Sequence, residues 1–272
     1  MSTIDPALAA GYESPPTRVG FFTDTSVCIG CKACEVACKE WNEVPARGLD
    51  LLGTSYDNTG GLGADTWRHV AFIEQRRPHG DGDGDLRWLM SSDVCKHCTH
   101  AACLDVCPTG ALFRTELGTV VVQEDVCNGC GYCIPACPYG VIDQRRDDGR
   151  AWKCTLCYDR LRGDAEPACA QACPTDSIQF GPLDELRDRA GRRLERLHEI
   201  GVEEARLYGH EDDDGVGGAG AFFLLLDQPE VYGLPPDPVV TTRDLPRMWA
   251  AAGAAAVTLV ASAVVALAGG RR

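Results

Sequence analysis

All sixteen cysteines of this 272-residue chain fall into four short groups of four, and no other feature restricts its folding so strongly. Cys28, Cys31, Cys34 and Cys38 are separated by two, two and three residues. Cys127, Cys130, Cys133 and Cys137 repeat those intervals and are followed by Pro138. The second group, Cys95, Cys98, Cys103 and Cys107 before Pro108, and the fourth, Cys154, Cys157, Cys169 and Cys173 before Pro174, keep the design with an insertion. Thiols at this density must be joined to one another or to metal.

Disulfides are the first reading, because the count is even. Such frameworks serve chains too small to bury a core, which this one is not. The opening "MSTIDPALAAGYESPPTRVGFF" also lacks the basic segment and apolar stretch of an export signal. Zinc is the second reading, since "CKHC" at 95–98 and "CTLC" at 154–157 are CxxC knuckles. Against it stands the third cysteine two residues on in the first and third groups. A four-coordinate ion does not need it, whereas three iron corners of a cubane do. The spacing is that of bacterial [4Fe–4S] ferredoxins, in which the fourth cysteine of each run ligates the other cluster of a pair.

Each group therefore serves two clusters. Residues 108–125, "PTGALFRTELGTVVVQED", read as two short strands around a turn at Gly118, so the second and third groups form one compact unit. The first and fourth groups then pair across it. The fold expected is α+β, with two nested bacterial-ferredoxin-like units, the inner inserted in the outer, and a single C-terminal transmembrane helix. The division is a tail at 1–20, an outer unit at 21–94 and 146–182, an inner unit at 95–145, a helix, buried strand and linker at 183–245, and a membrane helix at 246–268. "CPTGAL", "CPYGVI" and "CPTDSI" repeat one passage from cysteine through proline into a strand.

By the crossover rule four [4Fe–4S] clusters are expected. Cys28, Cys31, Cys34 and Cys173 hold the first; Cys38, Cys154, Cys157 and Cys169 the second; Cys95, Cys98, Cys103 and Cys137 the third; and Cys107, Cys127, Cys130 and Cys133 the fourth. The first group alone is followed by lysine, and Lys39 lets a helix continue through "KEWNEVP" until Pro45 where proline would turn the chain away.

A formal charge of −14 argues against nucleic acid as a partner. Each oxidised cluster adds about −2, a charge softened by backbone N–H groups around Gly30, Ala33, Gly129 and Gly131. Lys32, Lys39, Lys96 and Lys153 stand beside ligands and either raise nearby potentials or are solvated surface lysines. His97 and His100 are candidate substitute ligands, although four cysteines already complete their set. No Ser–His–Asp order, phosphate loop or HExxH motif is present, which leaves no catalytic residue and points to single-electron relay between other chains. The different-class alternative is a structural zinc-binding membrane protein.

Residues 40–68 read as a polar surface loop, "RHVAFIEQ" and "DLRWLM" as a hairpin turning through "RPHGDGDG", and "AFFLLL" as a buried strand. Leu183, Leu186, Ala190, Leu194 and Leu197 recur at helical spacing; the charged side of that helix is either a solvated face or a subunit contact. Met248–Ala268 carries no charge over the roughly twenty residues that span hydrocarbon. Its alternative is an alanine-rich buried helix. Gly253, Ala256 and Ser262 suit close packing on another membrane helix. Arg243, Arg247, Arg271 and Arg272 flank both ends, so charge does not fix an orientation.

"CIGCKACEVACKEWNEV", "CGYCIPACP", "KCTLCYDRLRGDAEPACAQACPTDSIQFG" and "GVGGAGAFFLLLDQPEVYGLPPDP" together resemble the iron–sulfur β subunit of membrane-bound formate dehydrogenases, in the four-cluster ferredoxin family that accompanies molybdopterin oxidoreductases. The likeness runs from about Ser26 to the C-terminus. It implies a non-catalytic chain that takes electrons from a catalytic α subunit carrying a molybdenum or tungsten pterin. It would pass them to a membrane cytochrome b γ subunit that reduces quinone. It also implies export in folded form on the twin-arginine signal of the catalytic partner, with the bulk of the chain outside the cytoplasmic membrane. The equivalent relay of another molybdopterin enzyme or a hydrogenase is the alternative.

Overall fold

The computed structural model describes residues 5–46, 48, 51–53, 55–76 and 86–269. The turn expected at 77–84 and the terminal arginines lie outside the described residues. The strands in chain order are β1 (Val19–Asp24), β2 (Arg68–Arg76), β3 (Leu86–Val94), β4 (Leu112–Arg114), β5 (Val120–Val122), β6 (Asp143–Gln144), β7 (Ala151–Trp152), β8 (Ile178–Pro182), β9 (Arg206–Tyr208) and β10 (Ala221–Leu225). The helices are α1 (Pro6–Ala9), α2 (Ala33–Trp41), α3 (Ala102–Asp105), α4 (Cys133–Ala136), α5 (Tyr158–Leu161), α6 (Ala168–Gln171), α7 (Leu183–Glu199) and α8 (Leu245–Gly269).

Each cysteine group sits on a tight loop that enters a helix, and the residue after the last cysteine sets the helix length. The helices before Pro108, Pro138 and Pro174 are single turns of four residues, whereas α2 runs nine residues through Lys39. The Lys39 ammonium donates to the carbonyls of Pro45 (3.0 Å) and Asp65 (2.6 Å), fastening the following loop to the helix it leaves. That loop is less superficial than its composition suggests, because Asp57, Ala64, Thr66 and Trp67 are buried.

Strands on either side of the cysteine groups pair across the chain. β1, before the first group, is antiparallel to β8, after the fourth. β2 and β3 form the long hairpin, and β4 and β5 form the short one, with Gly118 at φ 78° in its turn. β10 lies parallel to β1 and antiparallel to β9, giving the sheet order β8-β1-β10-β9. Five consecutive buried side chains explain this interior position, since a strand covered on both faces needs no polar alternation. Phe22, Phe222 and Leu224 pack under Leu183, Leu186, Ala190 and Leu197 of α7. Phe223 and Leu225 face Tyr208, Tyr232 and Leu234.

Two stretches outside the cysteine groups are tied into the body. Within 183–245, β10 supplies an interior strand of the main sheet. The stretch at 5–20 is held in place: Asp5 caps α1, the Tyr12 hydroxyl donates to the Arg114 carbonyl, and Arg18 donates to the Thr99 hydroxyl at 2.8 Å.

α8 is long and apolar enough to cross a membrane between Arg247 and Ala268, and none of that stretch is buried in the protein. Its Thr258 and Ser262 hydroxyls donate to the carbonyls of Ala254 and Thr258, so both are satisfied within the helix.

β1 and the loop before β10 approach so closely that only glycine fits. Phe21 N donates to the Gly220 carbonyl at 2.8 Å, and a Cβ on Gly20 would lie 2.1 Å from that oxygen. Gly20→Ala is expected to destabilise the sheet by about 1–3 kcal/mol, read as a urea transition at lower concentration than the parent's. An unchanged transition would mean that the β1–β10 register is looser than described.

Candidate metal centres

The loops that carry the cysteines are shaped by residues tolerating positive φ. Gly30 (65°) and Lys32 (60°) turn the first group, and Gly129 (71°) and Gly131 (76°) turn the third. A side chain at Gly30 would meet the Phe72 ring at 2.7 Å, so the loop lies directly on the β2–β3 hairpin.

The fold assembles the sixteen thiols into four sets, each drawn from two groups. Cys28, Cys31 and Cys34 share a cavity with Cys173. Cys95, Cys98 and Cys103 share another with Cys137. Cys38, on α2, faces Cys154, Cys157 and Cys169, and Cys133 faces Cys107, Cys127 and Cys130. The last cysteine of every group thus joins thiols of a different group. All sixteen are free of disulfides. Among the described residues no three His, Cys, Asp or Glu side chains converge closely enough to hold a single metal ion. Four thiols around a cavity, as at the first and third sets, suit a multi-iron cluster better than one tetrahedral ion.

The sets form a row. Cys34 of the first set is close enough to Cys169 of the second for their charges to repel, Cys154 neighbours Cys95 of the third, and Cys103 neighbours Cys133 of the fourth. Burial, reinforced by these like charges, pushes Cys34 up to about 11 and Cys103 up to about 12. Cys38, Cys98 and Cys154 are raised for the same reasons. Such thiols ionise only when a metal compensates them, so cluster binding must release protons. Cys107 differs: it is little buried, and the N–H groups of Leu112, Thr109 and Ala111 with the Thr109 hydroxyl hold it below the ordinary thiol value. Backbone donors also reach Cys127 from Ala151 (3.4 Å) and Cys154 from Leu156 (3.3 Å). Cys31 and Cys130, in the two end sets, are exposed, whereas all four thiols of the second set are buried.

The lysines divide. Lys96 and Lys153 are 1% exposed, which removes the solvated-surface reading for both. Lys96 pairs with the Asp93 carboxylate and lies 5.1 Å and 4.9 Å from the Tyr139 and Phe223 ring centroids. Lys153 donates to the carbonyls of Val120 and Cys154. Lys32 bridges Glu35 (3.0 Å) and Asp57 (2.8 Å), and Asp57 continues to His69 at 2.6 Å. Against burial, hydrogen bonds from His69 and Lys32 and from the N–H groups of Thr59 and Gly60 hold the Asp57 carboxyl well below the usual range. The His97 ring accepts from Val120 N through Nδ1 at 3.1 Å and is kept neutral by burial beside Lys153, Arg114 and Arg18. His100 is half-buried against Gly217 and is held below its ordinary value by burial and by Arg243 and Arg114.

Arg68 was not singled out by the sequence. At the start of a strand after a polar loop it looks like a surface residue, yet it is 2% exposed and donates to Cys169 Sγ at 3.2 Å. Only the pairing of β2 with β3, which places it against Ser92 and under Phe21, reveals its position.

The donor chemistry fits iron–sulfur clusters: thiols alone in every set, no disulfide competing for them, and backbone or cationic donors beside the sulfurs. A family described as "4Fe-4S dicluster domain" matches residues 86–183, and a second family of the same description matches 27–111. The nitrate-inducible formate dehydrogenase iron-sulfur subunit of Escherichia coli (strain K12) is 40% identical over 240 residues, 84% of this chain and 79% of the relative. The formate dehydrogenase iron-sulfur subunit of Haemophilus influenzae is 42% identical over 222 residues, 80% of this chain and 68% of the relative. A component of the anaerobic dimethyl sulfoxide reductase of Escherichia coli (strain K12) is 39% identical over 180 residues, 64% of this chain and 78% of the relative. With iron–sulfur donor sets in its core and such similarity over most of its length, the chain belongs to the family of formate dehydrogenase iron–sulfur subunits.

Proposed function

We propose that this chain is a four-cluster electron relay, non-catalytic itself, between a molybdopterin-containing catalytic subunit and a membrane cytochrome b subunit that serves quinone. The observation that carries the reading is the row of four thiol sets, wholly buried at the second and exposed at Cys31 and Cys130 at its ends. When bound, the clusters supply one-electron redox chemistry at each set. The protein contributes ligation, exclusion of water and fixed dipoles. Cys28, Cys31, Cys34 and Cys173 are the ligands of the first cluster, and Cys38, Cys154, Cys157 and Cys169 those of the second. Cys95, Cys98, Cys103 and Cys137 serve the third, and Cys107, Cys127, Cys130 and Cys133 the fourth.

The nested organisation, with an inner unit at 95–145 within an outer one, is supported by the β1–β8 pairing across the inserted segment and by the separate β4–β5 hairpin. α8 is proposed as a single membrane span that meets a helix of the cytochrome subunit, with the cluster-bearing body on the extracytoplasmic face as the family resemblance implies. The likeness to a dimethyl sulfoxide reductase component gives a second reading, the same relay serving a different molybdopterin enzyme. The size of the co-purifying catalytic subunit and its formate activity separate the two.

Anaerobically purified protein is expected to contain about sixteen irons, with absorption near about 400 nm that dithionite bleaches. A colourless preparation with stoichiometric zinc would sink the reading. Cys157→Ala is expected to lower iron to about twelve by loss of the second cluster, with the third and fourth still visible in EPR spectra. Equal loss of all signals would contradict the proposed ligand sets. Removal of residues 246–272 should shift the protein from the membrane fraction to the soluble one when its partners are absent; retention on membranes would assign anchoring to another surface.

A further inference from the structure

Two buried cations lie where neighbouring thiol sets meet, and a role for them rests on the cluster reading above. Arg68 stands between the first and second sets. Its Nη2 donates to Cys169 Sγ at 3.2 Å and its Nη1 to the Ser92 carbonyl at 3.1 Å, while the Ser92 hydroxyl lies 3.2 Å from Cys34 Sγ. Its Nε is buried and has no hydrogen-bond partner among the described residues. Phe21 covers the guanidinium at 4.9 Å. No carboxylate among the described residues forms an ion pair with it, so the negative charge that compensates it comes from sulfur on both sides.

Lys153 stands between the second and third sets. It is 1% exposed, its ammonium donates to two backbone carbonyls, one of them that of Cys154, and it lines the cavity of the third set beside Cys95 and Cys103. Lys96 provides the contrast. It is equally buried, but the Asp93 carboxylate beside it cancels its charge locally.

We propose that Arg68 and Lys153 are charge bridges, each shared by two adjacent cluster sites, that raise the reduction potentials of both sites and lessen the repulsion between electrons held on neighbours. Each electron added makes a site one unit more negative without forming or breaking a bond. The electron comes from the upstream partner and leaves for the next site. A fixed cation in a medium of low dielectric favours the reduced state at each, and its effect falls with distance, so the fourth site is beyond both bridges.

The test is an EPR-monitored redox titration of the full-length protein with its co-purifying partners, with signals assigned by cysteine substitutions in each group. Arg68→Gln is expected to lower the reduced-to-oxidised ratio of the first and second clusters about tenfold at fixed potential, about 59 mV for one electron, and to leave the third and fourth unchanged. Lys153→Gln should do the same to the second and third. Arg68→Lys, which keeps the charge, should stay near the parent. Unchanged potentials, or all four moving together, would overturn the proposal. If Arg68→Gln holds too little iron to titrate, the Lys153→Gln titration decides between these outcomes on its own. Loss of iron in both would also overturn it, because the cations would then serve assembly and not potential. A parent protein with far less than about sixteen irons would instead refute the underlying cluster reading, before any variant is made.

Discussion

The rest of the fold depends on bringing thiols from distant stretches of chain into the same apolar interior. Cys34, Cys38, Cys95, Cys154 and Cys169 belong to one buried cluster with Phe21, Val70, Val94, Leu156 and Ile178, so thiols and hydrophobic core occupy the same region. Burying thiolates is unfavourable unless metal and donors compensate them. Cluster binding is therefore coupled to folding, much as in small metal-dependent domains, and each filled site would fasten two otherwise remote groups together.

Compensation arrives in three forms at different places along the row. At the partly exposed Cys107, backbone N–H groups and a hydroxyl suffice. In the buried middle, side-chain cations take over, with Arg68 and Lys153 lacking carboxylate partners among the described residues and Lys96 paired to Asp93. Near the first set, Lys32 pairs with Glu35 and Asp57, and Asp57 is hydrogen-bonded to His69, a chain that ties the loop before β2 to the cysteine loop. The aromatic residues beside these cations keep water away and so strengthen each interaction.

Around this interior the later part of the protein acts as a brace. α7 covers one face of the sheet, β10 fills its centre, and the loop from Lys96 to Thr99 is held by hydrogen bonds from and to residues 218–221. The body is thus closed before α8 begins, which leaves that helix wholly exposed and without a partner surface on its own chain among the described residues.

Features that depend on local chemistry were legible in the residues themselves. Cysteine spacing defined four loops, proline or lysine after the last thiol set short or long helices, apolar periodicity marked α7, and uninterrupted apolar runs marked β10 and α8. Features that depend on contacts between remote segments were not. The parallel seat of β10 beside β1, the anchoring of residues 5–20 and the burial of Arg68 and Lys153 appear only once strands are paired. The physical reason is that a side chain's own neighbours in sequence govern its backbone conformation, whereas its solvation is decided by whatever the folded protein places above it. An arginine at the head of a strand has the same local sequence in water or against sulfur; tertiary packing alone makes that choice.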